Sequence, residues 1–170
     1  MDLNKPKFIR DNDTFLTIYG RNLLAELDII LPDNYLIVTM EDLWEKYKHH
    51  FKNKTKNVYI VKGLDINKVN EDFSNLNNFS TVVGIGGGQS LDMAKYFAWK
   101  TDVNLFQVPT SMSVNATFGH RAAIRINSNV TYVGWTVPEA VYVDFDIIKE
   151  APKEFNRSGI CEIMCYHTAH

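Results

Sequence analysis

Three consecutive glycines, Gly86-Gly87-Gly88, stand where a short apolar run, Thr81-Val-Val-Gly-Ile, meets an amphipathic one, Gln89-Ser-Leu-Asp-Met-Ala-Lys95. Glycine tolerates positive φ and lets a ligand approach the backbone closely. The first turn of a helix adds amide groups without intrahelical acceptors and the positive end of the helix dipole. A strand, a glycine turn and a helix start in that order suit a diphosphate. The plainer alternative is a tight left-handed connection in a packed sheet. The pattern is not the common dinucleotide fingerprint: G-x-G-x-x-G is absent, and no acid ends the next strand to hold a ribose. A second group, Val108-Pro-Thr-Ser-Met-Ser-Val-Asn115, supplies the hydroxyls of Thr110, Ser111 and Ser113. These suit the phosphates and amide of a cofactor, or else satisfy their own backbone.

These residues need a scaffold, and the hydrophobic pattern supplies one. Leu23, Leu24, Leu27 and Ile30 recur at helical spacing, and Tyr35-Leu-Ile-Val-Thr39 is short, apolar and β-rich. Residues 41–52 open on Glu41 and Asp42 and close on bases, as a helix dipole favours, and Val58-Tyr-Ile-Val61 follows as a strand. Asp65 caps a helix reaching about Leu76, Thr81–Gly84 is the third predicted strand, a helix runs from the glycines to about Lys100, and Asn104–Val108 is the fourth. Residues 121–126 and 130–136 read as a β-hairpin turned by Asn127-Ser-Asn129, Val141-Tyr-Val143 as one more strand, and Lys153–His170 as a helix.

Strands alternating with helices at this spacing imply an α/β fold, a parallel sheet covered by helices on both faces. Ligands of such sheets sit beyond the carboxyl ends of the strands, which sets Thr110, Ser111 and Ser113 beside the glycine turn. Glu41, with Asp42 next to it, follows the first predicted strand and is placed to accept from a ribose hydroxyl. A carboxylate there repels a 2′-phosphate, so NAD is expected to bind better than NADP.

Composition narrows the setting. The chain has 170 residues, 45% hydrophobic and 22% charged, enough for one domain with a real core. Eighteen basic against twenty acidic residues leave a net charge of −2, which gives no field to hold a nucleic acid. No apolar run approaches the roughly 20 residues of a membrane span. The opening residues lack a secretory signal's apolar segment, and there are only two cysteines, so a cytoplasmic setting is expected.

Four segments, GIGGGQSLDMAK, VPTSMS, YVDFDIIKEAP and RSGICEIMCYHTA, together resemble in order and spacing the iron-containing alcohol dehydrogenase superfamily, which includes glycerol dehydrogenase, glycerol-1-phosphate dehydrogenase and dehydroquinate synthase. The opening Leu16-Thr-Ile-Tyr-Gly-Arg-Asn-Leu-Leu24 is similar too, so the likeness covers the whole chain. It implies a Rossmann-like N-terminal domain, a C-terminal helical domain, and NAD or NADP with a divalent metal, iron, zinc or similar, between them. Gly87, Gly88, Gln89, Ser90 and Asp92 match the diphosphate loop, and Thr110, Ser111 and Ser113 the loop on the nicotinamide side. Lys95 matches the dehydrogenase branches. Asn115 stands where glycerol-type dehydrogenases carry an aspartate near substrate. Glu162 stands at the first metal ligand, a carboxylate suited to a hard or borderline ion.

Arg121 and Arg125 fall on one face of the predicted hairpin strand, as ligands for an anionic substrate or as solvent-facing charges. Cys161 and Cys165 read as buried small apolar residues rather than a zinc pair. The helix from about Lys153 is still in register at His170, so residues 1–170 are expected to form the dinucleotide-binding domain and the start of the helical one. Ile160, Met164 and Cys165 are then expected to be an exposed apolar patch, covered by a helical domain or a second copy. The function implied is the nucleotide-binding half of a metal-dependent NAD(P) oxidoreductase acting on an alcohol or a polyol, phosphorylated or not, and its ketone or aldehyde. A cyclase similar to dehydroquinate synthase, or a non-catalytic nucleotide-binding module, are the alternatives.

Overall fold

The computed structural model describes residues 16–51, 57–76 and 78–168, the last three by backbone alone. In chain order the elements are β1 (Leu16–Gly20), α1 (Leu23–Ile30), β2 (Tyr35–Thr39), α2 (Glu41–Tyr47), β3 (Asn57–Ile60), α3 (Ile66–Ser74), β4 (Thr81–Gly86), α4 (Gly88–Thr101), β5 (Asn104–Pro109), β6 (Ala122–Ile126), β7 (Asn129–Val133), β8 (Ala140–Asp144), α5 (Phe145–Glu150) and α6 (Lys153–Thr168). Six strands form one parallel sheet in the order β1-β8-β5-β4-β2-β3, and β6 pairs with β7 as a separate antiparallel hairpin.

The continuous apolar runs follow from burial on both faces. Along β2, Tyr35 and Ile37 join Leu23, Leu24 and Leu27 of α1 and Tyr47 of α2 in one core. Leu36 and Val38 point the other way, into a second core with Val69 of α3 and Met93, Ala94 and Phe97 of α4. Each such side chain contributes about 1.5–3 kcal/mol by leaving water. Every residue of α4 from Ser90 to Trp99 is buried. One side of the helix packs on the sheet, and Ala122, Ile124 and Val133 of the hairpin belong to the same core on its other side.

Several expectations are corrected. Leu16–Gly20 forms a sixth strand, whose half-exposed position at the sheet edge hides any clean alternation. Ile30 is exposed, and Leu31, one i,i+4 step beyond Leu27, takes the buried place. The helix expected to reach residue 52 stops at Tyr47 and tightens into a 3₁₀ turn over Lys48–His50. The hairpin loop is only Asn127-Ser128, both at positive φ, the I′-type geometry that matches strand twist.

Chain direction decides where a ligand can go. After β2 the chain moves outward to β3, whereas after β4 it moves the opposite way to β5. The helices that follow, α2 and α4, lie on opposite faces of the sheet. A crevice therefore opens between the carboxyl ends of adjacent β2 and β4, as at the ligand sites of other open α/β sheets.

Candidate functional site

The crevice is a cleft of ≈ 640 Å³ lined by Met40, Asp42 and Leu43 after β2, Gly87, Gly88 and Gln89 after β4, and Thr110, Ser111 and Ser113 after β5. Its volume falls in the range of about 300–1,000 Å³ usual for small-molecule sites. Just before it Gly86 has φ +150°, and its carbonyl accepts from the amide of Thr110 at 3.0 Å, which ties the glycine turn to the serine loop. Gly87 caps α4 and brings no side chain to its first amides. A Cβ on Gly87 would meet only the Ser111 hydroxyl, at 3.9 Å, so the space above it is open to a ligand. The residues fit a dinucleotide diphosphate: bare helix amides face an open cleft rimmed by hydroxyls. Ser111 and Ser113 hold their hydroxyls 3.1 Å apart.

The far rim is built from α2 and the α5–α6 corner. Lys46 Nζ lies 2.8 Å from Glu150 Oε2, to which the Tyr47 hydroxyl also donates at 3.0 Å. These two donors hold the Glu150 carboxyl below the usual glutamate range, while burial and the bond to Glu150 push the Tyr47 phenol up. Sequence reasoning missed this rim, because its residues come together only across the sheet.

A second hollow of ≈ 560 Å³ shares Gly88 and Gln89 with the first and continues along Asp92, Lys95, Asn115, His120, Arg121, Tyr132, Trp135 and Glu162. The Arg121 guanidinium lies over the Trp135 ring, 5.9 Å from its centre. Asp92 and Lys95 are buried and form an ion pair of 2.8 Å.

The candidate residues thus sort into two adjoining spaces. Asp92 lines the second hollow rather than the glycine cleft. Gly86 and Ser90 lie beneath the turn: Ser90 is wholly buried, and a Cβ on Gly86 would collide with it. Asp42 lines the cleft, and Glu41, one residue earlier, is exposed outside the lining. Arg121 precedes β6 and lines the second hollow. Arg125 is exposed and away from it, its amide donating to the Leu64 carbonyl at 2.7 Å. His120, Tyr132 and Trp135 had no local signal beyond their nearness to Arg121.

Helix α6 is seated on the serine loop. Asn156 accepts from the Met112 amide at 3.0 Å and donates to the Ile148 carbonyl at 2.8 Å, and Ser158 donates to the Ser113 carbonyl at 3.3 Å. This contact brings Glu162 to the second hollow. Phe155, Ile160, Ile163 and Met164 on the same helix are exposed. Cys161 and Cys165 are exposed as well, so neither is a buried core residue, and Ile160, Met164 and Cys165 are exposed together on the helix as the expected patch requires.

A sequence profile described as iron-containing alcohol dehydrogenase matches residues 22–152. The chain belongs to that family. Glycerol-1-phosphate dehydrogenase [NAD(P)+] of Sulfolobus acidocaldarius is 29% identical, over 98% of this chain and 49% of the relative. This member of the iron-containing alcohol dehydrogenase family spans about half the length, or less, of the curated relatives it matches. Among solved structures, glycerol dehydrogenase from Schizosaccharomyces pombe superposes with a TM-score of 0.76 at 18% identity, covering 95% of this chain and 45% of that one. A 2-deoxy-scyllo-inosose synthase complexed with carbaglucose-6-phosphate, NAD+ and Co2+ gives 0.71 at 19% identity, over 88% of this chain and 47% of that one. Both likenesses show the fold.

For an iron-containing alcohol dehydrogenase chain a metal centre is the natural question. Glu162 offers one carboxylate. Among the described residues no group of three or more His, Cys, Asp or Glu side chains could hold an ion. Asp92, which lines the same hollow, is committed to Lys95. The described residues therefore do not make a metal site of the several ligands such an ion needs. The side chain of His167, and His170, lie outside the described residues. No helix among the described residues is long and apolar enough to cross a membrane.

Proposed function

We propose that this chain is the dinucleotide-binding part of a cytoplasmic NAD(P)-dependent oxidoreductase that interconverts a polyol phosphate and its ketone or aldehyde. The observation that carries the proposal is the bare N-terminus of α4, which follows β4 at the crevice between β2 and β4 and opens on an unobstructed cleft. Gly86, Gly87, Gly88, Gln89 and Ser90 form or support the diphosphate cradle, Thr110, Ser111 and Ser113 face the nicotinamide side, and Asp42 rather than Glu41 meets the ribose. Bound there, the nicotinamide ring supplies a hydride acceptor or donor.

The adjoining hollow takes the substrate. Arg121, its guanidinium 5.9 Å from the centre of the Trp135 ring, is a planar cation suited to a phosphate, and Asn115 is a neutral donor and acceptor for a hydroxyl. Two of the relatives are named glycerol-1-phosphate dehydrogenase, which supports a phosphorylated substrate for this hollow. Glu162 is the candidate metal ligand, a single carboxylate lining the same hollow.

Calorimetry tests the proposal. NAD+ is expected to bind, and Gly87→Val to weaken that binding at least about tenfold by filling the cleft while leaving the fold intact. Unchanged affinity in that variant would remove the assignment.

A further inference from the structure

Lys95 is 1% exposed, yet it borders the second hollow. Its Nζ lies 2.8 Å from Asp92 Oδ1, 2.8 Å from the Ala116 carbonyl, 3.0 Å from that of Gly119 and 2.8 Å from that of Arg121. An ammonium carries three protons. Four acceptors at these distances leave none for a ligand. Asp92 in turn accepts from the backbone amide of Ala123. Two side chains one helical turn apart on α4 therefore grip the segment 116–123 at four places.

That segment follows Asn115, contains Arg121 and leads into β6, so its course decides where both side chains stand. The helix that grips it is the one whose N-terminus forms the dinucleotide cradle. We infer that Lys95, with Asp92, is a positioning residue that fixes Asn115 and Arg121 at the substrate hollow relative to the glycine turn. The inference rests on the assignment of the hollow to substrate made above. Physically, the ammonium gathers three carbonyl oxygens whose dipoles repel one another, and Asp92 supplies its counter-charge where water is excluded. Burial drives the Lys95 pKa down and the Asp92 pKa up, and each partner opposes the shift of the other.

Two variants test it: Lys95→Met, and Asp92→Asn combined with Lys95→Met. The single change leaves Asp92 buried without its counter-ion and is expected to lower the unfolding midpoint. The double change leaves no lone buried charge and is expected to restore folding. Backbone amide exchange over residues 115–123, NAD+ affinity, and the affinity of the NAD+-saturated protein for inorganic phosphate are then measured. In the double variant, exchange is expected to quicken and phosphate affinity to fall, each by about tenfold, with NAD+ affinity held within about twofold. Unchanged exchange in a folded double variant, or loss of NAD+ binding in parallel with phosphate, would overturn the inference. A wild-type chain that takes up neither NAD+ nor phosphate would instead refute the functional assignment, and the exchange rates would still decide whether the pair holds the loop.

Discussion

Gly159 of α6 lies directly against the carbonyl oxygen of Met112, so that a Cβ on this glycine would overlap the serine-loop backbone. The helix and the loop that rims both spaces meet at a distance only glycine allows. Asn156 and Ser158 bond the same loop from one turn of the helix.

Gly159→Ala is a sharp test, since two effects oppose each other. In an exposed helix, alanine would gain about 1 kcal/mol over glycine. Here the methyl must displace backbone, an overpacking cost of about 1–3 kcal/mol. A net loss of stability is expected in denaturant titrations, with faster amide exchange in α6. A stabilised variant would mean that α6 does not sit on the loop.

Neighbouring glycines of the turn should respond differently. Gly86 is at φ +150°, and an added Cβ would stand 2.6 Å from Ser90 Oγ, so Gly86→Ala is expected to cost about 1–3 kcal/mol. Gly87 has φ −85°, which alanine adopts freely, and faces open space. Gly87→Ala should leave stability within about 0.5 kcal/mol while weakening NAD+. Thermal melts and calorimetry of the pair check this, and equal destabilisation would contradict the geometry.

Cofactor choice turns on Asp42. Asp42 lines the cleft and Glu41 does not. Asp42→Asn is expected to raise affinity for NADP+ relative to NAD+ several-fold, consistent with removing about 1 kcal/mol of repulsion in a water-exposed site. Glu41→Gln should do little. A reversed order, measured at low salt, would move the ribose to the other acid.

Acid sensitivity is expected from Glu150. Lys46 and Tyr47 hold its pKa below the ordinary 4.5, so the native state binds this proton less readily than the unfolded chain. The resulting stability is present above about 4.5 and is lost as pH falls through the lowered value. Both charged side chains are about half-exposed, so the effect should be at most about 1 kcal/mol and shrink with salt. Glu150→Gln should flatten that part of the stability–pH curve. An unaltered curve would show that the rim carries no net interaction.

Sequence alone determined the alternation of strand and helix, the parallel sheet, the hairpin and the glycine turn, because each is written in local signals. β2 reads as apolar throughout since both its faces are buried, Asp65 accepts from the first amides of α3, and three glycines interrupt a strand-to-helix junction. β1 was hidden because an edge strand half in water needs no regular pattern. The site was legible as a set of residues but not as two spaces. That division is tertiary: α2 and α4 lie on opposite faces of the sheet, so Asp42 meets the glycines across the crevice while Asp92, four residues beyond Gly88, points past them under the hairpin. Nor does spacing reveal that Lys95 has spent its protons on Ala116, Gly119 and Arg121. Those carbonyls are more than twenty residues away in the chain and converge on one ammonium only when the loop folds back over α4. Local sequence dictates which residues can make a bond, and packing alone decides which bonds are already taken.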